Sequence, residues 1–147
     1  MGRHRPSHPP GTRRTATLTA FLDTNVLVRH LTGDPPEMAA RATATLADEE
    51  QLLLTDLVLA ECVYVLESFY EVERQRVAEL MRSAIAFPAI ETVATSVLLR
   101  ALEVYERERL DFAEAYLVAQ AEATGVLEIL SFDRSIDRIK TVPRREP

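Results

Sequence analysis

Short apolar runs alternate with longer stretches of helical period along this chain, and turn-forming residues separate them. Residues 18–22 predict a first strand, and a short helix follows from Thr24 to about Leu31, stopped by Gly33. Asp34-Pro35-Pro36-Glu37 predicts the next helix start, with Asp at the cap, Pro in the first turn and Glu three residues on. That helix should reach about Asp48. Residues 51–55 read as a second short strand and residues 56–70 as a long helix that is apolar on nearly every side. In residues 73–86, Val77, Leu80, Met81 and Ala84 share one helical face, and Pro88 ends the run. A short strand at 90–93, a helix at 96–107, and a helix at 111–124 closed by Gly125 come next. Residues 127–132 form the last clear strand, with an edge strand expected at Thr141-Val142. Strands alternating with helices predict an α/β fold with a parallel sheet covered by helices.

Such sheets bind ligands beyond the carboxyl ends of their strands, and two of the acids fall there. Asp23 follows the first strand and Asp133 the last. Asp111 and Glu114 sit at i and i+3 in the first turn of a helix, hence on one face. Glu61 interrupts Leu57-Val58-Leu59-Ala60-Glu61-Cys62-Val63, where its helical neighbours Leu57, Val58, Tyr64 and Val65 are apolar or aromatic. A buried carboxylate loses hydration and needs a partner, and for several converging acids a divalent cation is the obvious one. Each acid also has an ordinary reading. Asp23 and Asp133 suit a helix cap or turn, and Asp111-x-x-Glu114 matches a capping box. Glu61 is expected to be buried, since no water-facing stripe is evident around it. Glu67 reads as a rim charge, and Asp137 as the partner of a basic neighbour. Arg134 and Arg138, at i and i+4, fit a solvated face better than a phosphate contact.

Composition narrows the chemistry. The 147 residues suffice for one domain, and 47 % hydrophobic with 27 % charged content is ordinary for a globular protein. Net charge is −6, and four of the 17 basic residues but none of the 23 acidic ones lie in residues 1–17. The remainder, at −10, argues against nucleic-acid binding by overall charge, while leaving room for an enzyme whose metals supply positive charge locally. Residues 1–17, rich in Pro and Arg, read as a disordered tail ahead of a domain at 18–147. The single cysteine, Cys62, excludes an intrachain disulfide and a cysteine-built zinc site. Cys62 reads as a small apolar residue and His30 as structural or surface. Metal chemistry is therefore oxygen chemistry, favouring Mg²⁺ or Mn²⁺. There is no Gly-rich phosphate loop, no run of ~18 apolar residues to span a membrane and no signal-peptide core, so a cytoplasmic location is expected.

The ordered set Phe21-Leu22-Asp23-Thr24-Asn25-Val26-Leu27, Leu59-Ala60-Glu61, Asp111-Phe112-Ala113-Glu114-Ala115-Tyr116-Leu117-Val118-Ala119 and Ser131-Phe132-Asp133-Arg134 resembles the PIN-domain ribonucleases. Within them it is most similar to the VapC toxins of type II toxin–antitoxin systems. The resemblance covers about residues 18–140. It implies a three-layer α/β/α domain with a short central parallel sheet, and Mg²⁺-dependent hydrolysis of RNA. Its acids fall on Asp23, Glu61, the Asp111/Glu114 helix start and Asp133, with Asp23, Asp111, Glu114 and Asp133 as metal ligands and Asn25 in support. Many members carry Asp where this chain has Glu114. A homodimer and a cognate antitoxin protein are implied as well. Two other readings compete: a catalytically weak member that acts by binding RNA or protein, and a phosphatase of the haloacid dehalogenase type. The latter needs a second Asp two residues after the first, where this chain has Asn25.

Overall fold

The computed structural model describes residues 20–48 and 51–147. The basic tail expected at 1–17 and the first two residues of the expected first strand lie outside the described residues. Strand β1 (Ala20–Phe21) leads into helix α1 (Thr24–Thr32), which ends on Gly33 at φ 71°. Glycine suits that left-handed position because it has no Cβ to clash. Helix α2 (Pro36–Asp48) starts one residue later than predicted, and the Asp34 carboxylate accepts a hydrogen bond from the Tyr70 hydroxyl at 3.2 Å. Strand β2 (Leu52–Leu53) and helix α3 (Asp56–Ser68) follow, then α4 (Arg74–Ala86) and β3 (Ile90–Glu91). Helices α5 (Thr95–Glu108) and α6 (Phe112–Thr124) come next, then β4 (Ile129–Leu130), a 3₁₀ turn (Arg134–Arg138) and β5 (Arg144–Arg145).

Strands β1, β2 and β3 pair in parallel in that order, with Ala20 opposite Leu52 and Leu52 opposite Ile90. The expected α/β fold with a short parallel sheet is present. Two details differ. The edge strand is Arg144–Arg145, not Thr141-Val142: Val142 is 3 % exposed and anchors the segment in the core, while the next residues pair. Strand β4 pairs in parallel with β5 and not with the three-stranded sheet, so Asp133 ends a separate two-stranded ladder.

Strands of two residues bring few ladder hydrogen bonds, so packing of helices carries the cohesion. Leu27, Leu59, Leu66, Met81, Leu98, Leu102 and Tyr105 are fully buried and draw α1, α3, α4 and α5 into one core. Each such Leu is worth about 1.5–3 kcal/mol relative to an exposed one. The Arg74 guanidinium lies 4.4 Å from the centre of the Tyr105 ring and donates to the Tyr105 carbonyl at 2.9 Å. It also donates to the Leu110 carbonyl at 2.5 Å, which fixes the α5–α6 junction where Asp111 begins.

Candidate functional site

The cap readings of the acids are decided by their hydrogen bonds. Asp23 and Asp111 occupy the N-cap positions of α1 and α6 with extended backbones, ψ 154° and 152°, as capping residues do. Neither carboxylate accepts a cap hydrogen bond. Both acids stand where caps stand without doing that job, and both are exposed. By contrast, the N-cap of α3 is made by the Thr55 hydroxyl, which accepts from the Val58 N–H at 3.2 Å.

Asp133 does act as a turn former. Its Oδ1 accepts from the Ser135 N–H at 2.9 Å and from Ser135 Oγ at 2.7 Å. Those bonds hold its carboxyl below the usual carboxylate range, because donors stabilise the charged form. Oδ1 is tethered, and no hydrogen bond is made to Oδ2 among the described residues.

Glu61 corrects the expectation of burial. It is exposed, on a stripe with Leu57 (79 % exposed), Tyr64 (69 %) and Ser68. Helix α3 does have a water-facing side, and apolar residues on it disguised it in the sequence. Glu61 Oε2 accepts a hydrogen bond from the Thr24 hydroxyl at 2.8 Å, which binds α3 to the first residue of α1. Beneath them lies Cys62, fully buried as expected; its thiol is pushed up to about 12, chiefly by burial and then by the negative charges of Glu61 and Asp23. Asp23 and Glu61 thus act on the same buried atom from two elements 38 residues apart.

Helix α6 runs antiparallel to α3. Its start faces the middle and end of α3 across a cleft of about 480 Å³ that includes Ala60, Glu67 and Asp111, while Tyr116 further along hydrogen-bonds Asp56 at the start of α3. Glu114 sits in the first turn of α6, and its Oε2 is buried with no hydrogen-bond partner. Glu67 is more than a rim charge, since it accepts the hydroxyl proton of buried Tyr105. Thr24, the buried polar residue that positions Glu61, was missed at the sequence level; a hydroxyl between the two polar neighbours Asp23 and Asn25 was the available signal. Arg138 donates to the Glu108 and Arg109 carbonyls at 3.2 Å and closes α5. Asp137 does pair with a basic residue, Arg144 seven positions on, at 3.0 Å.

Among the described residues no three acidic, histidine or cysteine side chains are placed to hold one ion between them. A magnesium ion does not require that. It keeps several waters and is commonly held by one or two carboxylates together with substrate phosphate oxygens. The donor set, all carboxylate oxygen with an unpartnered buried oxygen at Glu114, fits such an ion.

These features define an α/β protein whose free acids lie at strand ends and helix starts. The profile of the PIN domain matches residues 20–142, and the chain belongs to that family. It is 26 % identical over 127 residues to a VapC ribonuclease from Aquifex aeolicus (strain VF5), a match covering 83 % of this chain and 94 % of that protein.

Proposed function

We propose that the protein is a Mg²⁺-dependent endoribonuclease and the toxin of a type II toxin–antitoxin module. The observation that carries this reading is that Asp23 and Asp111 sit at helix caps yet leave their carboxylates unused. The likeness to the VapC ribonuclease supports the choice of RNA. Asp23 and Asp133 would hold one ion, and Asp111 with Glu114 a second, directly or through water; Mn²⁺ suits the same oxygens. When bound, such an ion lowers the pKa of a coordinated water and offsets charge on the scissile phosphate.

The remaining work belongs to the chain itself. The Thr24 hydroxyl fixes Glu61 by Oε2, leaving Oε1 to accept a hydrogen bond from the attacking water. Asp133 enters with its orientation already set by Ser135. Asn25, two residues after Asp23, supplies a neutral polar group beside the acids. Exposed Leu57, Tyr64 and Phe69 on and just after α3 give an antitoxin an apolar ridge beside Glu61. A homodimer in solution and a cytoplasmic location complete the proposal; among the described residues no helix is long and apolar enough to cross a membrane.

Incubation of purified protein with mixed RNA tests it. Cleavage should require Mg²⁺, stop with EDTA and fall at least about 100-fold in Asp23→Asn, the scale of losing a charge-stabilising group. Unchanged cleavage in Asp23→Asn rejects this site. No cleavage under any condition favours a member that only binds.

A further inference from the structure

We propose that the groove between α1 and α2 is a track for the phosphodiester backbone of the RNA strand, with Arg29 and Arg41 as its phosphate-positioning residues. The groove is about 310 Å³ and is lined by Asn25, Val26 and Arg29 from α1 and by Met38, Arg41 and Thr45 from α2. Asn25 lies two residues after Asp23, so the groove begins on the first turn of the helix that Asp23 caps. Arg29 lies on the same face as Asn25, one helical turn (~5.4 Å) further along.

The thirteen cations of the described residues fall into three groups. Arg76, Arg82, Arg100, Arg144 and Arg145 are paired with carboxylates. Arg74, Arg138 and Lys140 are tied to backbone carbonyls. Arg29, Arg41, Arg107, Arg109 and Arg134 make no side-chain hydrogen bond or ion pair among the described residues, and of these five Arg29 and Arg41 share one groove. Even Glu37, one turn before Arg41 on α2, does not pair with it, although that spacing favours ion pairs. Two unpaired guanidiniums sharing one groove, in a domain that is otherwise acidic, form a local cationic patch. Phosphate oxygens match guanidinium donors in charge and fork geometry. The apolar floor of Val26 and Met38 suits the face of a ribose or base. An acidic protein segment would satisfy the same charges, but the groove shares α1 with Asp23 at its N-cap, and a substrate strand must reach that residue.

The identity of the strand rests on the ribonuclease reading, and the test separates the two. Binding of a fluorescein-labelled, mixed-sequence single-stranded RNA is measured by anisotropy at several salt concentrations in the Asp23→Asn background. Adding Arg29→Gln and Arg41→Gln should weaken binding at least about tenfold and reduce the slope of log K against log salt by about 1.4, for two lost phosphate contacts on a single strand. Arg29→Lys with Arg41→Lys should recover the slope, and Arg76→Gln, which removes one paired charge, should leave it unchanged. In otherwise wild-type protein the Gln pair should raise KM with kcat little altered. Unchanged affinity and slope in the Gln pair overturn the track even if the wild type cleaves RNA. Loss of binding to an acidic protein partner with RNA binding intact also overturns it, and gives the groove to protein. Slope loss in a protein that never cleaves RNA upholds the track and rejects the nuclease.

Discussion

A carboxylate oxygen that is buried without a hydrogen-bond partner costs about 1–3 kcal/mol, more when charged, and Glu114 Oε2 is in that state. Such a cost persists in a protein when the group meets a partner in its working state. In the presence of EDTA, Glu114→Gln should therefore raise the melting temperature, by the equivalent of about 1 kcal/mol. It should also shrink the stabilisation that Mg²⁺ gives the parent, because the removed charge is one the ion would offset. Differential scanning fluorimetry with and without Mg²⁺ reads both effects. A lower melting temperature in EDTA together with an undiminished Mg²⁺ response would show that Glu114 is a structural residue and no ligand. Asp133 differs in kind: Ser135 already holds it, so its loss should disturb the 3₁₀ turn as well as any ion.

At the scale of elements, helix α3 is the one that reaches most of the site. It carries Glu61 in its middle, Asp56 at its start under the Tyr116 hydroxyl, and Glu67 near its end under Tyr105. Its start depends on the Thr55 side chain, which takes one of the otherwise unpaired N–H groups. Thr55→Ala should cost about 1 kcal/mol in urea unfolding; a change below about 0.3 kcal/mol would mean that packing alone sets the helix start. Most elements could be read from sequence because their signals are local: Gly33 and Gly125 close helices, Pro88 ends one, and apolar period marks the rest. The pairing of β4 with β5 could not be read, since strands of two residues leave almost no pattern. Glu61 was misplaced for a related reason. Leu57 and Tyr64 are apolar yet exposed, so the polarity pattern pointed inward where the helix in fact faces water. The roles of Thr24 and Arg74 depend on contacts 37 and 31–36 residues away, and nothing in their own neighbourhood announces them.

For the molecule as a whole, Tyr105 links α3, α4 and α5 through Glu67, the Arg74 guanidinium and its own buried ring. Burial first, and then the Glu67 carboxylate, pushes its hydroxyl well above the ordinary tyrosine value of about 10. In the unfolded chain that phenol ionises near pH 10, while in the folded protein it keeps its proton. The stability it confers is thus fully present below about pH 10 and is lost as pH rises beyond it. Tyr105→Phe keeps the ring and removes the titration, so the fall in stability between about pH 9.5 and 11 should be shallower in that variant. Equal slopes in the two proteins would show that the Tyr105 hydroxyl does not set the alkaline limit.

The placement of Glu61 between Leu57 and Tyr64 on open helix surface has one more implication. A molecule drawn to those two greasy neighbours must lie over the acid between them. For a nuclease of the proposed kind, shelter for the sticky ridge and silence of the enzyme would then be a single event, counted molecule for molecule. Activity in a cell would track only the surplus of this chain over its cover.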